Sequence, residues 1–195
     1  MRTITATDRT RLLRCCGTTY PSPWAEEIDG TLYAIASNGA SMLAICGRSD
    51  YAAGWRGRGL VSGAYDRRPR ARHQIRRAEL RRWIKVIVAA TPDRQIGCGA
   101  CRAGRAPCPC GSSTVACSAC EATGQRLAPG IALGSIAGVT VDLRLVEACI
   151  LQARDSTIEA WSGGSETAPL ALAGAQWLAL IMPVRTTADV PRWRA

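Results

Sequence analysis

The residues of this chain best suited to chemistry are six cysteines between positions 98 and 120. Cys98-Gly99-Ala100-Cys101 and Cys117-Ser118-Ala119-Cys120 are two C-x2-C knuckles separated by 15 residues, and Cys108-Pro109-Cys110 lies between them. A C-x2-C turn directs two thiolates at one ion and frees backbone N–H groups to bond the sulfurs; two such turns complete a tetrahedral site. The spacing fits a zinc ribbon. Zn2+ is therefore the expected cofactor, with Cys98, Cys101, Cys117 and Cys120 as ligands. Cys108 and Cys110 exceed four coordination positions. They exchange into the site, hold a second ion with outside help, or stay unligated, and the sequence leaves these alternatives open. An all-thiolate site has no open position for a substrate water, so its role is structural.

Other chemistry finds little support. His73 is the only histidine, and it sits among Arg70, Arg72, Arg76 and Arg77 with no Cys, Ser or carboxylate arranged beside it in sequence. No phosphate-cradling G-x-x-x-x-G-K-[ST] loop and no G-x-G-x-x-G after a strand occurs. The expectation is a protein that is not an enzyme. Cys15, Cys16, Cys46 and Cys149 fall on apolar faces or in strand-like runs and read as buried hydrophobes.

Charge gives the second signal. All but one of the 25 basic residues are Arg, Lys85 being the exception, and the net charge of +10 favours a polyanionic partner, nucleic acid first. The candidates for phosphate contact are Arg11 and Arg14 on a first helix, Arg81, Arg82 and Lys85 on a second, and Arg144 and Arg154 on a third. Glu147 dilutes the field of the last.

The elements that must position these groups come as a repeat. Thr3–Ala6 reads as a strand, Asp8 as an N-cap, Arg9 to Cys16 as a helix with Leu12, Leu13 and Cys16 on its apolar stripe. Strand-like Leu32–Ala36, a Ser37-Asn38-Gly39 turn and Met42–Cys46 follow. The second half repeats this with Val139–Val141, Asp142, a helix from Leu143 to Ala153, then Thr157–Trp161, Pro169–Leu172 and Trp177–Val184. Between them lie a Gly/Arg-rich tract over 54–72 and an amphipathic helix over 75–88, on which Leu80, Trp83, Ile84, Ile87 and Val88 share a face. Residues 97–126 hold almost no core-forming side chains, so apolar burial cannot hold them together. The expected fold class is α+β: a pseudo-twofold pair of βαβββ units with a small zinc-binding insertion. Its expected boundaries are 1–64 and 127–187 for the halves, 65–96 for a basic helical connector, 97–126 for the insertion and 188–195 for a tail.

Two resemblances sharpen this reading. Cys98-Gly99-Ala100-Cys101-Arg102-Ala103-Gly104 and Cys117-Ser118-Ala119-Cys120-Glu121-Ala122-Thr123-Gly124 resemble the C-x-x-C-x-G-x-G knuckles of the DnaJ-type cysteine-rich region. Ala103 and Ala122 stand where that pattern has its first Gly. No His-Pro-Asp triplet occurs, so a co-chaperone is not implied. The paired halves resemble a domain of the DNA sliding clamps. Gly30-Thr31-Leu32-Tyr33-Ala34-Ile35-Ala36-Ser37-Asn38-Gly39-Ala40-Ser41-Met42-Leu43-Ala44-Ile45 is similar to their hairpin of the form G-x-L-x-A-T-D-G-x-R-L-A. Leu178-Ala179-Leu180-Ile181-Met182-Pro183-Val184-Arg185 is similar to the closing strand of bacterial β clamps. The resemblance implies helices inside and sheets outside. It implies duplex DNA as ligand and a DNA polymerase or other replication or repair protein as partner. Family rings hold six such domains, so a homo-oligomeric ring of this chain would need six copies, or else the protein forms no ring.

Two other readings fit the same residues: a zinc-ribbon nucleic-acid regulator on an unrelated scaffold, and a clamp-mimicking module that binds a replication partner without DNA. Arg9, Arg11 and Arg14 interrupt residues 1–20, where a signal peptide would be apolar, and the run Ala168–Val184 is too short and too interrupted to span a bilayer. A cytoplasmic protein with no membrane partner is the expectation. Whether a ring closes, the identity of the protein partner, the role of the zinc lobe and a cellular or mobile-element origin do not follow from the sequence.

Overall fold

A computed structural model describes residues 2–18, 20–28, 30–51, 72–107, 113–151, 153–164 and 167–193. The Gly/Arg tract before Arg72, the 64/65 boundary, Cys108 and Cys110 lie outside the described residues. Two compact units emerge: one from the described residues of 1–88 and 132–195, the other from 89–131.

The larger unit is organised by one antiparallel sheet. In chain order its strands are β1 (Trp24–Ile28), β2 (Thr31–Ser37), β3 (Ser41–Cys46), β4 (His73–Arg76), β11 (Thr157–Ser162), β12 (Leu170–Gly174) and β13 (Trp177–Ile181). They lie in the order β1-β2-β3-β13-β12-β11-β4. The two three-stranded meanders are thus mirrored about the β3–β13 seam, where Leu43 faces Ala179, Met42 faces Leu180 and Ala44 faces Leu178. The chain segments before each helix repeat the same relation. The Ile4 amide donates to the Arg48 carbonyl, just past β3 (2.9 Å), and the Val184 amide, just past β13, donates to the Thr140 carbonyl (2.8 Å). β9 (Leu133–Ile136) and β10 (Val139–Asp142) form a separate hairpin leading into the second half's helix.

The strands' alternation divides the core in two. Ala34, Ala36, Leu43, Ile45, Ile158, Ala160, Leu170, Leu172, Trp177, Ala179 and Ile181 turn to the face that carries the helices. Ile35, Met42, Ala44, Trp161, Ala171, Ala173, Leu178 and Leu180 turn to the other. The helices are α1 (Ala6–Arg14), α2 (Arg77–Ala90) and α3 (Leu143–Ile150). Leu12, Leu80, Ile84, Leu143, Val146 and Cys149 are fully buried against that first face.

Several boundaries differ from the sequence expectation. Thr5, not Asp8, caps α1: the Asp8 amide donates to Thr5 Oγ1 (3.2 Å), while the Thr5 amide donates back to Asp8 Oδ2 (3.0 Å). This capping box starts the helix three residues early, and the side chains buried on it and at its C-cap are Asp8, Arg11, Leu12 and Cys15. Leu13, expected inside, is 58% exposed. Asp142 caps α3 as expected, accepting from the Arg144 amide (3.0 Å), but the helix ends at Ile150. Ile75 and Arg76, expected in the connector helix, belong to strand β4, because Ile75 pairs with Ile158 across the sheet edge. Thr3 makes one isolated bridge to Arg48 rather than a strand. Glu26 lies buried within β1.

Two carboxylates brace this unit. Asp8 takes the Thr5 bonds and pairs with Arg2 (3.1 Å). Asp155 accepts from the Trp177 indole (2.6 Å) and the Ala175 amide (2.9 Å). Burial alone would raise both groups, but these donors outweigh it and hold both below the ordinary value of 3.8. A lowered native pKa means the unfolded chain binds protons first, so this stabilisation is present above 3.8 and is lost as pH falls through the native values. Urea midpoints measured from pH 6 down to pH 2.5 should therefore drop steeply below about 4, and Asp8→Asn with Asp155→Asn should flatten that slope.

Candidate metal centre and charged surface

Among the described residues the smaller unit has almost no apolar interior, and its buried side chains are cysteines. Cys98, Cys117 and Cys120 are buried, with Cys101 and Ala106 packed against them. β5 (Arg94–Gly97) pairs with β8 (Gln125–Ala128), and β6 (Arg105–Pro107) with β7 (Thr114–Ala116), so each knuckle stands at the end of a short ribbon. The four sulfurs lie within 4.8 Å of one another. Cys98 and Cys117 are 3.9 Å apart, Cys101 and Cys120 3.6 Å. Four thiolates about 2.3 Å from one ion stand about 3.8 Å apart at the corners of a tetrahedron. The cluster has that size, and the four cysteines could bind a metal ion.

The backbone supports the sulfurs as a metal site requires. The Gly124 amide donates to Cys120 Sγ (3.3 Å), and the Cys98 amide donates to the Gly124 carbonyl (2.9 Å). Each knuckle is followed by left-handed residues: Ala103 (φ 50°) and Gly104 (85°) after the first, Glu121 (50°), Ala122 (63°) and Gly124 (75°) after the second. A Cβ on Gly104 would overlap the Ala122 carbonyl, and one on Gly124 would press on the Ala103 and Gly104 backbone. The knuckles thus touch backbone to backbone, which glycine alone permits.

Without a metal the thiols hold their protons unequally. Burial and the sulfur contact with Cys120 push Cys101 up to about 12. Burial also opposes a Cys120 thiolate, but the Gly124 amide and the Cys101 thiol prevail and bring it down to about 7. A metal must displace the remaining protons, so its affinity falls as pH falls.

The candidate phosphate contacts are not all where the sequence placed them. Arg11 is the clear correction. It is 3% exposed, its Nη2 donates to the Cys149 carbonyl (2.9 Å), and its guanidinium carbon lies 5.0 Å over the Trp177 ring. α1 packs with this face inward, where Arg11 cannot meet a phosphate. The Thr5-x-x-Asp8 capping-box pattern announces the helix start in the sequence, but not which face of the helix is buried. Arg14, Arg82, Lys85 and Arg154 are exposed, and Arg81 and Arg144 are half-buried. The Arg81 Nε is buried and finds no hydrogen-bond partner among the described residues. His73 lines an open cleft of about 1070 Å³ beside Thr140, Ser162, Arg185 and Thr186, and no carboxylate or thiol is among the described residues lining it.

Two results are expected at the metal centre. Metal affinity measured by competition with a chromophoric chelator should fall steeply between pH 8 and pH 6, while Cys117→Ser should abolish binding. Ala122→Gly removes the cost of a left-handed alanine, about 1 kcal/mol, and should tighten metal binding about fivefold. Unchanged or weaker affinity would mean the knuckle is not held in this backbone form.

No family model matches the sequence, and no curated protein sequence matches it either. Among solved structures, the chain is similar to DNA polymerase III subunit beta from Borrelia burgdorferi, determined in complex with a natural product. The TM-score is 0.48 and the identity 8%, over 92% of this chain. The chain spans 61% of the length of that structure.

Proposed function

We propose that this is a non-enzymatic, clamp-like DNA-tethering protein. It holds duplex DNA through phosphate charge rather than base readout, and it carries a Zn2+ ion in the four-cysteine site as a structural brace. The observation that supports the reading is the pair of matched meanders about the β3–β13 seam, with α1 and α3 on the same face. Such a layer leaves one helical surface to meet a ligand, and a net charge of +10 selects a polyanion. Exposed Arg14, Arg82, Lys85 and Arg154, with half-buried Arg81 and Arg144, supply the cations. The sheet's end strands, β1 and β4, each pair on one side only among the described residues, and pairing of those edges between copies is how six chains would close a ring. A DNA polymerase or another replication or repair protein is the partner such a tether would serve.

A second reading, a metal-braced nucleic-acid binder unrelated to clamps, is favoured by exposed Arg94, Arg102, Arg105 and Arg126 on the smaller unit. One experiment separates the two. Binding to nonspecific duplex should weaken with salt at a log–log slope near −0.9 per phosphate contacted. Arg82→Ala with Lys85→Ala should reduce that slope by about 2. If only Arg94→Ala with Arg126→Ala reduces it, the second reading holds, and salt-insensitive or absent binding removes both.

A further inference from the structure

A second group of thiols lies in the larger unit, apart from the metal centre. Cys15 is the C-cap of α1 and Cys149 lies in α3, so each half contributes one. Their sulfurs are 3.9 Å apart, in van der Waals contact, and the residues are 1% and 0% exposed. The Arg11 guanidinium lies one helical turn before Cys15, bonded to the Cys149 carbonyl and stacked on Trp177.

That cation separates this pair from the four-cysteine cluster. It repels a metal ion and favours an anionic sulfur, the form in which a thiol becomes a nucleophile. Among the described residues, only Cys98, Cys101, Cys117 and Cys120 group as metal ligands. Two thiols in contact, beside a fixed positive charge and with no metal geometry, suit oxidation to a disulfide. Their burial excludes a bulky disulfide as oxidant, so the oxidant has to be a small neutral molecule such as hydrogen peroxide.

We propose that Cys15 and Cys149 are a redox-active pair that hydrogen peroxide converts to a disulfide, cross-linking α1 of one half to α3 of the other. The Cys15 thiolate attacks one peroxide oxygen; the O–O bond breaks, and the departing hydroxide takes a proton to become water. Cys149 then attacks the Cys15 sulfenic sulfur. The S–O bond breaks, and the thiol proton leaves with the hydroxide as a second water. Both sulfurs are oxidised by one equivalent each, and one peroxide is reduced to two waters. The order of attack follows the surroundings. The Cys149 contact lowers Cys15 against its burial, with Arg11 assisting, whereas contact with Cys15 and complete burial push Cys149 well up. The S–S separation must contract to about 2.05 Å, a movement within reach of side-chain rotation and a small helix shift.

Cys16 is the neighbour that could mislead. It is partly exposed, and its sulfur faces the Leu12 carbonyl (3.5 Å) rather than Cys149. The test uses the full chain treated with hydrogen peroxide, digested with trypsin without reduction and read by mass spectrometry. The expected product links the peptide of residues 15–48 to that of residues 145–154 in the wild type, Cys16→Ser and Cys46→Ser, and is absent in Cys15→Ser. Cys149→Ser should lose the link, and the linked wild type should melt about 5–10 °C higher than its reduced form. A link that disappears in Cys16→Ser would overturn the proposal. So would peroxide-treated wild-type protein in which Cys15 and Cys149 remain alkylatable, or in which Cys15 passes to sulfinic acid without cross-linking.

Discussion

The seam between β3 and β13 is the constraint on which the larger unit depends. Two meanders far apart in sequence meet edge to edge, and five backbone pairs from Ser41–Ile181 to Ile45–Trp177 set their register. Strand side chains alternate faces, so a slip of one residue would move Leu43, Ile45, Ala179 and Ile181 from the helical face to the other. On the helical face of the seam Leu43 lies opposite Ala179 and Ile45 opposite Trp177, and helices of both halves pack on this same stretch of sheet. α1 and α3 therefore touch, and the Arg11, Cys15 and Cys149 cluster exists only because the seam brings the halves together.

The smaller unit solves the opposite problem. It has ribbons of three and four residues and, among the described residues, no apolar side chain at its centre beyond the cysteines and Ala106. Burial of so little apolar surface cannot offset the entropy of ordering the chain. Four sulfurs at tetrahedral separation are the natural remedy, because metal binding free energy then becomes folding free energy. The price is visible in the backbone, where Ala103, Glu121 and Ala122 are held left-handed.

Much of this was legible in the sequence, for identifiable reasons. C-x2-C spacing has one economical use, so the four cysteines could be grouped from their positions alone. Strand alternation with a Ser37-Asn38-Gly39 turn specifies a hairpin, and β2 and β3 fall within a residue of expectation. α1 was harder. Leu12 fits either of two apolar stripes, and charge argued that Arg11 faces water. A capping box and a buried cation over Trp177 decided otherwise. β4 was hidden because four residues carry too little pattern to declare a strand; its partner β11, distant in sequence, selects it. The contact of Cys15 with Cys149 is a tertiary fact that no local pattern encodes.

Amide hydrogen exchange, followed with and without a strong metal chelator, tests the central claim that the two halves are one folded body about this seam. The account predicts that amides of residues 41–46 and 177–181 are the slowest in the chain and open together. Their protection should be unaffected by chelation, while residues 94–128 lose theirs. Independent opening of residues 31–46 and 170–181, or loss of seam protection on chelation, would contradict it.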